Sequence, residues 1–434
     1  MTHPIRSRAS RRPSQARGAR PHPLTLALAC ALAGATPGGW LQAQTLPTGA
    51  VVVQGRASVV TQGNQMTVSS SPNAVLNWQS FSIGAGQSVR FEQPSASSQV
   101  LNRVLGRDPS QIAGRLSSNG TVWLLNPYGV LFGREARVDV AGLVATTLNI
   151  SDADWQARRY SLLGGNTTTG QVVNQGEIRT TLGGQVLLLG GQGGVRNEGL
   201  IEAPGGQVVL AAGASVDLAD STSPQLAVRV TAPAGEAVNL GQMLSSGGRI
   251  DLQAAMVNQQ GIVRADSLAG GPAGEVRLQA GGDLTLAAGS HTGADGGQGG
   301  RVVAQGATTL VAGAVSAQGS QGAGGQLQLL GEQVGLLAGA DVNASGRAGG
   351  GQVLVGGGLQ GRDAAVPNAR ATYMDAGATV RADAADHGSG GLIVLWSDKA
   401  TRAYGTLSAR GGAQGGDGGL IETSGGWLDA RPVS

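Results

Sequence analysis

The sequence predicts an all-β fold, a right-handed parallel β-helix wound as a solenoid, with a distinct β-helical cap at its N-terminal end. Three observations carry this. Gly supplies 75 of the 434 residues and aromatic residues only 3%, where the usual Gly share is about 7%. Each Gly inside a helix costs roughly 1 kcal/mol relative to Ala, so this composition excludes a mainly helical protein. Second, Val, Leu and Ile alternate with polar residues in short runs, the period-two signature of strands. Third, a pattern of two small residues, one variable residue and then Val, Ile or Leu recurs. It starts at Gly183, Gly205, Gly247, Ala273, Gly299, Gly324, Gly350, Gly390 and Gly418, at intervals of 22, 42, 26, 26, 25, 26, 40 and 28 residues. A fixed period in this range marks a solenoid. The two long intervals read as two periods with one mark lost. Collagen is excluded because the glycines do not fall at every third position, and full disorder because the apolar alternation never stops.

Residues 1–43 come first and read as a secretory signal peptide. Arg6, Arg8, Arg11, Arg12, Arg17 and Arg20 precede an apolar stretch from Leu24 to Ala35, with no acidic residue. That stretch is shorter than the roughly 20 residues a membrane-spanning helix needs, and small residues follow it. Cleavage is expected after Ala43, with Ala35 as the other candidate. The only cysteine, Cys30, lies inside this leader; lipoprotein processing there is the less favoured alternative. Without the leader, 24 basic residues face 27 acidic ones. The high isoelectric point therefore belongs to the leader, and no nucleic-acid partner is expected. A chain with no cysteine after processing has no disulfide to staple it, so backbone ladders and a continuous core must hold it.

Residues 44–165 form the next unit, with longer strands, fewer Gly pairs and most of the Trp and Phe. Strands are expected at 50–60, 65–69, 75–83, 87–92, 121–125 and 137–148. Asp108-Pro109 reads as an N-cap followed by Pro at the first helical position, starting a short helix through Ile112. Ser151 and Asp154 read as the capped start of another, near Trp155.

Residues 166–434 read as a Gly-rich repeat body. Gln185-Val-Leu-Leu-Leu and Gln352-Val-Leu-Val fit inward-facing strands, and Gly pairs fit tight corners. About ten coils at the strand spacing of about 4.8 Å would stack to about 50 Å. Asn174, Asn197 and Asn258 are candidates for a stacked amide ladder, with plain turn residues as the alternative. The chain ends inside the repeat pattern, at Leu428-Asp-Ala-Arg-Pro-Val-Ser, which reads as a short or truncated member with no change of composition that would mark a toxin.

Little in the sequence points to chemistry. Beyond the leader there are two histidines, His291 and His387, and a single lysine, Lys399, which follows Asp398 and so belongs to no phosphate-binding loop. Gly356, Gly358 and Gly361 match a dinucleotide-loop spacing, but no helix-forming stretch follows, so they read as coil corners. Asp383, Asp386 and His387 read as a solvated loop in preference to a metal site. Asp295 and Asp417 sit in Gly clusters without the nine-residue period of calcium-binding repeats. No cofactor is expected.

Five blocks in the N-terminal unit carry a resemblance: Leu46-Pro-Thr-Gly; Asn77-Trp-Gln-Ser-Phe-Ser-Ile-Gly84; Val100-Leu-Asn-Arg-Val; Asp108-Pro-Ser-Gln-Ile-Ala-Gly-Arg-Leu; and Asn119-Gly-Thr-Val-Trp-Leu-Leu-Asn-Pro-Tyr-Gly-Val-Leu-Phe-Gly133. In order and spacing they resemble the secretion domain of filamentous haemagglutinin-like exoproteins and adhesins. Tyr373-Met-Asp-Ala-Gly to Ile421-Glu-Thr-Ser-Gly resembles the repeat body of the same family. The resemblance implies two-partner secretion in a Gram-negative bacterium. The chain would reach the periplasm unfolded, be recognised there by the periplasmic domains of a dedicated outer-membrane β-barrel transporter, and be threaded outward to fold at the surface as a β-helix. It places the secretion motif at Asn126, Pro127, Tyr128 and Gly129, where Tyr128 departs from the family's Asn, with Asn102, Arg103, Asn119 and Gly120 in support. A second Asn-Pro motif found in some relatives is absent. The expectation is thus a secreted, non-enzymatic exoprotein or adhesin whose shaft contacts a glycan or protein on a host or neighbouring cell. A β-helical polysaccharide-acting enzyme and a haem-acquisition or haemolysin-type exoprotein are the alternatives.

Overall fold

A computed structural model describes residues 46–165, 169–219, 227–267, 270–271 and 273–431. The leader read at 1–43 lies outside these residues. The described residues belong to one compact unit.

Among the described residues strands dominate, in hydrogen-bonded sheets of 27 and 12 strands, and nearly all pairings are parallel and between successive coils. The fold is a parallel β-helix. Its winding shows in one inward column: Leu76, Asn102, Leu124, Ala145, Leu188, Leu210, Leu252, Leu278, Ala304, Leu329, Val355, Leu395 and Thr423, each in register with the next. The eleven aliphatic members belong to a single core cluster running from Met66 to Ala409. The first coils are wide enough inside for aromatic residues. Trp78 and Phe81 meet edge-to-face at 5.4 Å, and Phe81 stacks on Phe91 at 6.4 Å.

The N-terminal end is closed by antiparallel strands. Val51–Gln54 pairs with Ala74–Trp78, and Ala57–Gln62 with Gln65–Ser70. The expected strand 50–60 is broken at Gly55, whose φ of +73° turns the chain. The strand expected at 75–83 stops at Trp78, and Ile83 returns as an isolated bridge to Ile112.

The helix expected at Asp108–Ile112 is a strand, Ser110–Ile112. The Ser110 N–H donates to the Gly129 carbonyl at 3.0 Å, and the Ile83 N–H to the Gln111 carbonyl at 2.9 Å. Neighbours on both sides thus supply ladder bonds, where a single helical turn offers almost none. The second expected helix is present at Asp152–Gln156, with Ser151 as N-cap accepting from the Asp154 N–H at 3.0 Å.

The two long repeat intervals are not double periods. Gln207–Ala211 pairs directly with the strand beginning at Arg249, and Gln352–Val355 directly with Leu392–Leu395. Each interval is one coil carrying an excursion. In the first, Gln207–Ala219 runs out past the coil and pairs antiparallel with Ala227–Pro233. In the second, 356–370 folds over the sheet and places Val366 against Leu330, Leu354 and Val394.

The first excursion builds a second core on the outside of the coil. Helix Asp152–Gln156 and strand Tyr160–Leu163 cross the outer face, and Tyr160–Leu163 pairs antiparallel with Ser215–Leu218. Trp123, Trp155, Leu162, Leu187, Leu189, Val216 and Leu218 are buried there. The sheet continues past residue 165: Arg137–Thr146 pairs with Glu177–Leu189, with one register shift between Val140 and Gly142.

An amide ladder exists, with different membership. Asn174 Nδ2 donates to Asn197 Oδ1, Asn197 Nδ2 to Asn239 Oδ1 and Asn239 Nδ2 to Gln259 Oε1, each at 2.8 Å. Asn258 is excluded because it points outward, in register with Val238 and Thr285; its neighbour Gln259 takes the inward place. The ladder replaces four members of a column that is otherwise apolar, from Phe132 before it to Leu286, Val311 and Leu336 after it.

The second glycine of each repeated pair stacks on that of the coil before. A Cβ on Gly206 would overlap the Gly184 carbonyl oxygen, and one on Gly325 that of Gly300. Close approach of backbone at this corner is what the pattern records.

Candidate functional site

The turn after strand Arg115–Leu125 is built by Asn126. This side chain is fully buried. Its Nδ2 donates to the Asp108 carbonyl and to Ser110 Oγ, both at 3.0 Å, and its Oδ1 accepts from the Tyr128 N–H at 3.0 Å. The Gly129 N–H donates back to the Asn126 carbonyl at 3.0 Å, closing a four-residue turn. Pro127 holds the first central position, where its fixed φ fits. Tyr128, at the second, is not among the residues with positive φ, so the turn is not type II and accepts a bulky residue. Gly129 has φ +123° and needs to be Gly. Tyr128 is 39% exposed at the turn.

Asn102 and Arg103 sit one coil earlier, where Arg103 is in register with Leu125, the residue before Asn126. Asn102 is a buried amide in the inward apolar column. It accepts from Trp78 Nε1 at 2.9 Å and donates to the Trp123 carbonyl at 3.1 Å. Arg103 points outward to the short helix: it donates to Asn149 Oδ1 at 3.2 Å and the Ile150 carbonyl at 2.8 Å, and pairs with Asp152 at 2.9 Å. Helix 152–156 is thereby tied to the coil below it. Within the helix, hydrogen bonds from Ser151 and then Arg159 hold the Asp154 carboxyl below its ordinary range.

Asn119 and Gly120 lie at the far end of the same rung. Asn119 binds the Gln93 backbone twice, accepting from its N–H at 2.8 Å and donating to its carbonyl at 2.6 Å. A Cβ on Gly120 would come within 2.7 Å of the Ser98 carbonyl oxygen and the Gln93 amide. The predicted residues therefore form two groups, one around Asn126 and one around Asn119, at opposite ends of 121–125. Sequence reasoning missed Ser110, Gln93 and Trp78 as their partners. Asp108-Pro-Ser looked like a helix cap, and the same small polar groups instead receive the Asn126 amide.

No group of three or more His, Cys, Asp or Glu residues placed to hold a metal occurs among the described residues. Asp383 accepts from Ser408 Oγ at 2.6 Å and from the Arg410 N–H at 2.7 Å, Asp386 pairs with Arg347, and His387 is exposed. Gly356–Gly361 is a loop packed on the Trp396 ring. Some carboxylates on the outer face pair with arginines on the next coil, as in Arg115–Asp139 at 2.8 Å and Arg137–Glu177 at 3.1 Å. The arrangement offers hydrogen-bonded corners and a charge-balanced surface.

Comparison with known proteins shows the family. The sequence model of the TPS secretion domain matches residues 41–242. The crystal structure of the HMW1 secretion domain from Haemophilus influenzae superposes with a TM-score of 0.72 at 31% identity, covering 89% of this chain and 96% of that one. The chain belongs to the TPS secretion-domain family. Such domains head exoproteins exported across the outer membrane by two-partner systems, which implies a partnering outer-membrane transporter. A heme/hemopexin-binding protein of H. influenzae strain Rd is 35% identical over 245 residues, 54% of this chain and 26% of that protein. A second H. influenzae protein of the same name is 38% identical over 117 residues, 27% of this chain and 12% of that protein. The chain thus spans about a quarter or less of these relatives' length.

Proposed function

We propose that this chain is the export-directing and shaft-forming part of a non-enzymatic exoprotein, released to the cell surface or medium by a dedicated β-barrel transporter. The observation that carries this reading is the Asn126–Gly129 turn. Its buried side-chain amide ties 108–110 to 126–129, and the Asn126 backbone N–H donates to the Thr146 carbonyl on the next coil at 2.9 Å. A chain passed outward unfolded needs such a local lock to start its first coils, after which each coil stacks on a formed one. Recognition in the periplasm uses the extended chain, by strand addition to the transporter's periplasmic domains. The TPS domain spans 44 to about 242, followed by the repeat shaft, and the leader at 1–43 directs the first export step.

Co-expression with the cognate transporter tests this. Wild-type chain should appear in the medium, and Asn126→Ala should lower release at least tenfold with the chain retained in the periplasm. Equal release from cells lacking the transporter would overturn the reading. The heme/hemopexin-binding name of both relatives favours haem capture as the second reading. A haem titration of the purified chain, with no shift of the haem absorption band, would remove it.

A further inference from the structure

Aromatic residues are missing from 161 to 372 and return as Tyr373, Trp396, Tyr404 and Trp427. None of these four is fully buried. They therefore do not fill the coil, and two of them stand beside a groove on its outer face.

The groove lies across strands Thr308–Val311, Gln333–Leu336, Ala371–Met374 and Ala400–Ala403. One outward column runs Leu310, Gly335, Tyr373, Arg402, and the next Thr308, Gln333, Ala371, Ala400. Gly335 and the two alanines make the floor low; a Cβ on Gly335 would already come within 3.0 Å of Leu310 Cδ2. With Leu337 at its rim the groove encloses about 430 Å³, within the range of small-ligand sites.

Its walls are rigid and chemically distinct. The Tyr373 hydroxyl donates to Asp375 Oδ2 at 2.8 Å and the Tyr404 hydroxyl to Asp429 Oδ2 at 2.7 Å, while the two rings meet edge-to-face at 6.0 Å. Arg402 forms no ion pair among the described residues; its guanidinium lies 5.7 Å from the Trp427 ring centroid. Arg277 and Arg381, on other coils, each have a carboxylate partner.

We propose that this groove binds a linear glycan bearing carboxylate groups. The apolar face of a pyranose stacks on Tyr373, and the planar guanidinium of Arg402 takes a sugar carboxylate through two parallel hydrogen bonds. Thr308 and Gln333 meet ring hydroxyls. Coils repeat at about 4.8 Å, close to the length of one pyranose, so successive sugars meet successive coils. An added peptide strand has no place here, because the two central strands of the groove are paired on both edges. This inference does not depend on the export reading.

Immobilised oligogalacturonate, oligoguluronate and sialyl-oligosaccharides, with neutral cello-oligosaccharide beside them, test it on the purified chain. Saturable binding of at least one carboxylated glycan and weaker binding of the neutral one are expected. Arg402→Gln and Tyr373→Ala should each weaken the carboxylated ligand at least tenfold, and Arg381→Gln should not. Ala371→Phe, which fills the floor without removing a wall, should abolish binding while circular dichroism stays that of the wild type. Binding to none of the panel, equal binding of the neutral chain, binding that survives these variants, or a self-association lost with Tyr373→Ala would each overturn the proposal.

Discussion

Asn126 is buried with both ends of its amide satisfied, so its removal does more than shorten a side chain. Asn126→Ala deletes three hydrogen bonds and leaves the Asp108 carbonyl, Ser110 Oγ and the Tyr128 N–H short of partners. We expect a loss of about 2–4 kcal/mol in a denaturant melt. Tyr128→Asn, which restores the family residue, should change stability by less than about 0.5 kcal/mol, because the turn makes no demand at that position. A large effect on secretion with none on the melt would assign Tyr128 to transporter contact. Much at this scale was legible: an Asn-Pro-x-Gly turn is local chemistry and reads directly from the residues. Which partners the Asn126 amide would find was not, because Asp108 and Ser110 come from the previous coil and their own sequence favours a helical start.

At the scale of elements, register decides what composition cannot. Asn258 and Gln259 are adjacent, and only the alternation of the strand says which one faces in. Asn239→Ala breaks the ladder in its middle, severing bonds to Asn197 and Gln259; a cost of about 2–3 kcal/mol is expected, against about 0.5 kcal/mol or less for Asn258→Ala. The tyrosine–aspartate pairs of the last coils predict a pH response. The hydrogen bond to Asp375 raises the Tyr373 pKa above its ordinary value, and that to Asp429 raises the pKa of Tyr404. Asp375 is lowered by the Gly377 N–H and then by Tyr373. A raised tyrosine adds stability that is whole below its unfolded pKa and fades as pH climbs through the folded one. A lowered aspartate adds stability that is whole above its unfolded pKa and fades as pH falls through the folded one. These contacts should therefore hold between about pH 4 and pH 10 and loosen on either side. Absorbance titration should show two tyrosines ionising late, and Tyr373→Phe should remove one of them.

For the whole molecule, the β-helix was legible from the spacing of the Gly pairs, while its coil count was not. A missing mark and an inserted excursion lengthen an interval alike; only the direct pairing of Gln207 with Arg249 separates them. The first excursion also sets how much chain is needed to fold. Helix 152–156 and strand 160–163 are covered by residues 187–218. A fragment ending at 165 would expose Trp123 and Trp155. It should be protease-sensitive and lack a cooperative melt, whereas one ending at about 245 should unfold in a single transition.

The four stacked amides and the larger outer flap lie in the same stretch, between residues 150 and 260; among the described residues beyond it the amide ladder does not continue, and the outer face carries only the smaller excursion 356–370. Tension applied at the far end would therefore peel the later coils one by one at low, even force, then stall where the side-chain rail begins. Single-molecule pulling should record regular short steps followed by one larger rip. An exoprotein built this way would lose distal coils to shear and still keep its N-terminal coils folded.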